Sequence, residues 1–399
     1  MTRQRTQSSA PQVRWASFSL LGIFGLSVGL PGPAVPSLQD AYGLSYAGAA
    51  LHLTLFSVGS AIGSALDDRL HRRFHRTTLL RASLVAVGIG AAMCGVAPTA
   101  IVSLAGISIM GVGGTIAINI AHGVLGAEHA DGRGTVLARA HLFAALGLAS
   151  AAIVVAGARA VGEWRLAFAV PVAVAAAILL TRQPDRLPSQ TPTSPASHPP
   201  APAPAPSTMV RVGGLVLGLS VAVEWAVTFW AASFLRDPVG LTPTYADAIT
   251  IGVLAALVIG RWLLGRLTRA RDVGLLLRMA LVTTIAMSVP YLAGPRLPDP
   301  FGVIVPVVAL VVLCLTVAML FPLALAVTLM AAGDSAPEQQ RASATALGMG
   351  AAGAVMTPYL LGATADATTL TTALVVLPVG AMLALFGIAA MHRVAVTAR

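Results

Sequence analysis

Charge is scarce in this chain. Only 10% of its 399 residues are Asp, Glu, Lys or Arg, whereas a soluble domain carries about 25%. So few charges cannot cover a water-facing surface of this size, which excludes a soluble globular protein. Lysine is missing altogether, so every one of the 25 basic side chains is an arginine. Aromatics amount to 5%, and no basic face interleaved with stacking rings accompanies the formal charge of +10, which excludes a nucleic-acid binder. The two cysteines, Cys94 and Cys314, sit inside apolar runs far apart, which leaves no disulfide framework and no thiolate metal site. Both read as small buried hydrophobes. In place of charge there is apolar surface: 56% of residues are hydrophobic and the mean hydropathy is +0.83. The solvent such a chain suits is lipid, and the fold class predicted is an all-α integral membrane protein.

One stretch breaks the apolar pattern. Residues 182–207 read RQPDRLPSQTPTSPASHPPAPAPAPS, and repeated prolines remove backbone donors and favour extended polyproline-like conformers. No packed core can form from it, so it is predicted to be a polar spacer between two hydrophobic halves. A span needs roughly 20 apolar residues to cross a bilayer as helix. That rule places spans near 15–38, 46–66, 78–97, 100–125, 135–158 and 164–181, then near 210–235, 244–265, 273–293, 301–330, 342–364 and 370–391. About twelve helices in two six-helix bundles result, 15–181 and 208–391, with tails at 1–14 and 392–399. The first apolar run is longer than the core of a cleavable signal, so a retained span is expected.

Arginine sets the orientation. Arg69, Arg72, Arg73 and Arg76, then Arg266, Arg269 and Arg271, cluster in short gaps, and Arg133, Arg182, Arg186, Arg341 and Arg393 fall on the same side. The other side holds Arg159, Arg165, Arg236 and Arg296. By the positive-inside bias, both termini and the spacer are expected in the cytoplasm. Abundant alanine without lysine suggests a GC-rich bacterial source, hence a bacterial inner membrane.

Polar residues inside the spans are the candidates for chemistry. Glu224 lies about twelve residues, or about 18 Å, from the end of its predicted helix, near the bilayer midplane. A charge there costs about 2.5–3.5 kcal/mol on insertion scales, so such residues usually face an interior cavity. Desolvation favours the neutral carboxyl, which suits a group that takes up and releases a proton. In the fourth span, Ser108, Gly111, Thr115, Asn119 and His122 recur every three or four residues on one face. Such a stripe lines a cavity or binds a neighbouring helix; Asn119 and His122 could hydrogen-bond a solute. Thr54, Ser57, Ala61 and Ser64 form a similar stripe of small residues that suits packing. His141 and Arg261 need partners, and Trp225, Phe229 and Trp230 around Glu224 offer an apolar face to a ring.

Two six-span halves joined by a cytoplasmic spacer resemble the major facilitator superfamily. After the second span, Ser64-Ala-Leu66-Asp-Asp68-Arg69-Leu-His71-Arg72-Arg73 is similar to that superfamily's loop signature G-x-L-x-D-R-x-G-R-R, with Ser64 and His71 in place of glycines. The resemblance implies a cytoplasmic gating network of Asp68, Arg69, Arg72 and Arg73. A weaker echo, Gly260-Arg261-Trp-Leu-Leu-Gly265-Arg266, lacks the acid. Asn119, the segment His141-Leu-Phe-Ala-Ala-Leu-Gly147, Glu224-Trp225-Ala-Val-Thr228-Phe229-Trp230 with Phe234-Leu-Arg-Asp237, Phe321-Pro322 and Thr357-Pro358 resemble the fucose-permease-like branch. Phe229 stands where that branch has an aspartate and Trp225 where it has a glycine.

The resemblance implies a monomeric secondary transporter that needs no cofactor, with a small organic solute, protons and the lipid bilayer as its partners. Solute contacts would come from Thr115, Asn119, His122, His141, Trp225, Thr228 and Trp230, proton coupling from Glu224, and gating from Asp68, Arg69, Arg72, Arg73 and Arg261. Proton symport with uptake follows from the branch; export of a drug or secondary metabolite is the alternative, against which the proline-free stretch His141–Gly157 weighs. A polytopic enzyme would need a clustered catalytic pair, and none is legible. Gly25-Leu-Ser27-Val-Gly29 matches G-x-S-x-G but lies inside an apolar helix, where a nucleophile elbow needs a strand-to-helix turn. His71 and His75 have metal spacing but sit among arginines, and Gly111, Gly113 and Gly114 lack the strand and acidic residue of a nucleotide site. The orientation is directly testable. A Ser197→Cys variant should react with an impermeant thiol reagent only from the cytoplasmic side, and labelling in intact cells would overturn the assignment.

Overall fold

The computed structural model describes residues 10–128, 133–181, 185, 187, 207–332 and 336–397. The side chains of Asp68, Arg133 and Arg393 and most of the spacer at 182–207 lie outside the described residues. The described chain is all helical, with no strand among its elements. These are α1 (Ala10–Gly29), α2 (Pro31–Tyr42), α3 (Tyr46–Arg73), α4 (Arg76–Val96), α5 (Ala100–Glu128), α6 (Arg133–Ala160) and α7 (Ala169–Leu180). After the spacer come α8 (Thr208–Arg236), α9 (Pro243–Leu267), α10 (Val273–Ala293), α11 (Phe301–Met330), α12 (Ala336–Ala367), α13 (Leu370–Ala373) and α14 (Val376–Thr397).

Eleven helical stretches among the described residues are long and apolar enough to cross a membrane, with a shorter apolar one at Trp164–Leu180. Hydropathy predicted these stretches because lipid offers no partner to a backbone N–H or C=O, which forces each crossing into a complete helix. The first crossing, Gln12–Tyr42, is broken at Leu30, where Pro31 and Pro33 supply no N–H. The ladder still runs across the break, from Leu30 N to Leu26 O at 3.1 Å and from Ala34 N to Leu30 O at 3.2 Å. Arg159 braces this segment, donating to Ser37 Oγ at 2.8 Å and to Pro33 O at 2.7 Å. Beyond the spacer, Ser207 caps α8, its Oγ accepting from Val210 N at 3.3 Å.

The chain forms two compact units. One takes the residues up to Leu38 and those from Leu55 to the spacer; the other takes Gln39–Thr54 and the residues after the spacer. In the first unit, α1 lies so close to α6 that a Cβ on Gly25 would meet Ala144 O at 1.9 Å, and one on Gly147 would meet Gly22 O at 2.1 Å. In the second, a Cβ on Gly260 of α9 would meet Leu315 O of α11 at 2.3 Å. Helices in lipid gain no hydrophobic drive from pairing, so close backbone approach at small residues supplies the association.

Most hydroxyls inside the spans are satisfied by their own helix. Ser27, Ser220, Thr250, Thr284 and Thr328 each donate to the carbonyl four residues back at 2.7–2.8 Å. A Ser or Thr in a span is therefore no sign of a cavity by itself. The α1–α6 seam generates a test. Gly25→Ala should force the two helices apart and cost about 1–3 kcal/mol. Gly123→Ala, with nothing within 4 Å of the added carbon, should be neutral or stabilising by up to about 1 kcal/mol. Melting in detergent compares them, and equal midpoints would refute the close packing.

Candidate functional site

In the second unit, the polar chemistry centres on one ion pair. Glu224 of α8 faces Arg261 of α9, whose Nη2 donates to Glu224 Oε1 at 2.6 Å. The side chains are 13% and 22% exposed respectively, so the pair is largely withdrawn from water without being sealed. A lone carboxyl at this depth is cheapest when neutral, but Glu224 does not stand alone. A guanidinium in contact offsets the cost of carrying charge there, so the partner governs the chemistry of Glu224. Arg261, expected among the gating residues, is that partner. Cys314 of α11 lies within electrostatic reach of Glu224.

The residues around this pair divide into two groups. Trp225 is half-buried beside Glu224 in sequence. Thr228 spends its hydroxyl proton on Glu224 O at 2.8 Å and is 6% exposed. Phe229 and Trp230, at 2% and 0% exposure, are core residues. Their rings meet edge to face at 5.1 Å, and Trp230 also packs on Tyr46 at 5.7 Å. Trp230 therefore belongs to packing at the end of α8, and its buried Nε1 has no hydrogen-bond partner.

In the first unit the structure brings His122 of α5 against His141 of α6, with ring centroids 5.1 Å apart. Thr115 Oγ1 and His122 Nε2 are buried with no hydrogen-bond partner, and Asn119 is half-buried on the same helix. An unmatched buried polar atom costs about 1–3 kcal/mol, which sets these two atoms apart from the hydroxyls satisfied by their own helix. Ser108, from the same stripe, is satisfied by Leu104 O at 2.8 Å.

Residues 17–358 match the family model described as Major Facilitator Superfamily. The chain belongs to the major facilitator superfamily. It is a membrane transporter and not an enzyme. Comparison with curated proteins found no match. Among solved structures, a bacterial homologue of the human lysosomal transporter Spinster, in an inward-facing and occupied conformation, has a TM-score of 0.74 at 15% identity, with 97% of this chain and 98% of that one covered. The nucleoside transporter NupG gives 0.73 at 12% identity, covering 96% and 99% of the two chains. A D-xylose–proton symporter gives 0.71 at 15%, covering 96% of each. Likeness at these identities carries the fold alone.

At the end of α3 in this superfamily member, Arg69, Arg72 and Arg73 are exposed. In that stretch His71 Nδ1 lies 3.0 Å from Asp67 O and 3.4 Å from Asp67 Oδ1, one helical turn back. Asp68, the acid of the loop signature, has its side chain outside the described residues. What sequence reasoning missed is the Glu224–Arg261 pairing itself. The two residues lie in different helices, and no local spacing announces a contact between helices.

Removing one partner of a sealed ion pair costs about 3–5 kcal/mol, and the residual exposure here lowers the expectation to about 1–3 kcal/mol. Glu224→Gln and Arg261→Gln should each lower the melting midpoint in detergent. The double variant should recover part of the loss, because neither charge is then left alone. Strictly additive losses would show that the two side chains do not stabilise each other.

Proposed function

We propose that this chain is a proton-coupled secondary transporter that takes up a small polar organic solute, sugar-like in character, across a bacterial inner membrane by alternating access. The single observation that carries the reading is the Glu224–Arg261 ion pair at 2.6 Å inside the second unit. A proton arriving at Glu224 neutralises the carboxylate and removes the attraction that holds the guanidinium. Loss of the proton restores it. A carboxyl that alternates between these conditions gives a carrier two arrangements of one site, with the proton gradient choosing between them.

Other features support the reading. Thr115 Oγ1 and His122 Nε2 are buried polar atoms without a hydrogen-bond partner, and Asn119 and His141 are half-buried in the same unit, a polar set that suits a hydroxyl-bearing solute. Trp225 and Thr228 flank Glu224, and Trp230 acts from behind as packing. The D-xylose–proton symporter shares the fold, and the fucose-permease-like segments described above point the same way. In this reading Asp68, Arg69, Arg72 and Arg73 gate the cytoplasmic side, both termini are cytoplasmic, and the carrier acts as a monomer.

Glu224→Gln tests the proposal, because an amide keeps an oxygen for Arg261 but cannot exchange a proton at physiological pH. In proteoliposomes, a pH difference should no longer drive accumulation by the variant, while exchange of labelled for unlabelled solute persists. If Glu224→Gln still concentrates solute in response to an imposed pH difference, Glu224 is not the coupling group. The proton route would then run through His122 or His141.

A further inference from the structure

Arg261 uses its guanidinium only in part. A guanidinium offers five N–H donors in a planar fork, and the edge formed by Nε and Nη2 matches the two oxygens of a carboxylate. Glu224 fills one position of that edge, accepting from Nη2 at 2.6 Å. Nε, the other donor of the same edge, is buried and has no hydrogen-bond partner. The edge is therefore built for a bidentate carboxylate and holds a monodentate one.

The neighbouring helices offer nothing to complete it. Glu224 is the only acid of α8, and α11, which packs against both α8 and α9, carries no charged residue. The one acid of α9, Asp247, belongs to its first turns, far from Arg261. Helix α10 contributes Arg278 and no acid. Acids of α12 are Glu338 in its first turn and Asp366 at its other end. When Glu224 takes a proton, no carboxylate of these helices stands ready at the depth of Arg261. An unpaired guanidinium among apolar helices is costly, so the loaded state requires an anion from elsewhere.

We infer that the solute supplies it: the transported molecule bears a carboxylate, which takes the Nε–Nη2 edge of Arg261 as Glu224 is neutralised. This rests on the proposed proton coupling and narrows its substrate class from sugar-like solutes to acidic ones, such as a sugar acid. A single carboxylate fits better than a phosphate ester. One bound proton and one negative charge leave the site with the net charge of the empty ion pair, whereas a phosphate brings about −1.5 to −2 at neutral pH.

A small carboxylate tests the site without knowledge of the solute. Full-length Glu224→Gln and Glu224→Ala, purified in detergent, are melted in sodium acetate and in sodium chloride of equal ionic strength. Acetate should raise the midpoint of at least one of them by about 2 °C or more over chloride, through occupation of the vacated edge. The increment should vanish when Arg261→Gln is added to either. Equal midpoints in the two salts for both single variants, or an acetate increment that survives Arg261→Gln, would overturn the inference. Those results leave the proton coupling of Glu224 standing, because that is read separately from pH-driven accumulation in proteoliposomes.

Discussion

Lipid cannot solvate a charge, and the consequences of that constraint meet at Glu224 and Arg261. In water an ion pair of this kind contributes little, since each member is solvated as well apart as together. Between α8 and α9 the alternative to pairing is an isolated charge in apolar surroundings. The contact at 2.6 Å is thus held by the cost of breaking it more than by the strength of making it. In the proposed mechanism a proton on Glu224 cancels one of the two charges without displacing any side chain and leaves the guanidinium of Arg261 in need of another partner.

The same constraint decides how much was legible beforehand. A helix that crosses lipid must be apolar along about 20 residues, so Phe301–Met330 or Ala100–Leu125 declares itself in the order of its side chains. Glu224 was legible for the same reason, as a lone acid in an apolar run. Its partner was not. Arg261, late in its helix, reads in the sequence only as a polar group that needs a partner, and only the packing of α8 on α9 assigns it to Glu224. The fourth-span stripe was half legible. Ser108 looked like Thr115 in sequence, yet one hydroxyl is satisfied by its own helix and the other is not. Periodicity reports the face a residue occupies, while satisfaction depends on a rotamer that sequence does not display.

Hydropathy also gave no hint that the segment Gln39–Thr54 belongs with the second unit. Besides the Tyr46 ring on Trp230, its ties are polar and lie at helix ends. Asp366, near the end of α12, accepts from the backbone N–H groups of Tyr46 at 2.8 Å and Ala47 at 3.0 Å, satisfying two donors that the first turn of α3 leaves open. The Tyr46 hydroxyl donates to Asp237, and Arg236 meets Asp40 at 3.4 Å. Asp40 is 70% exposed, so that last pair is screened and weak. Helix-end contacts of this type are made and lost at small cost, unlike an ion pair between the spans.

Satisfied and unsatisfied polar atoms therefore do different work. The back-bonded hydroxyls of Ser220, Thr250 and Thr328 let helices carry small residues at close seams without a desolvation penalty. The unmatched atoms are fewer and are not all alike. Trp230 Nε1, Ser233 Oγ and Tyr291 Oη lie among large buried rings, with Phe234 and Tyr291 4.0 Å apart. There the packing of the rings outweighs a lost hydrogen bond. Thr115 Oγ1 and Arg261 Nε have no such ring contact among the described residues, while His122, whose Nε2 is also unmatched, has the imidazole of His141 at 5.1 Å. An unmatched donor that is charged and buried is the costliest of these to leave empty. On that ground Arg261 is the residue from which the chemistry of the cargo is best read.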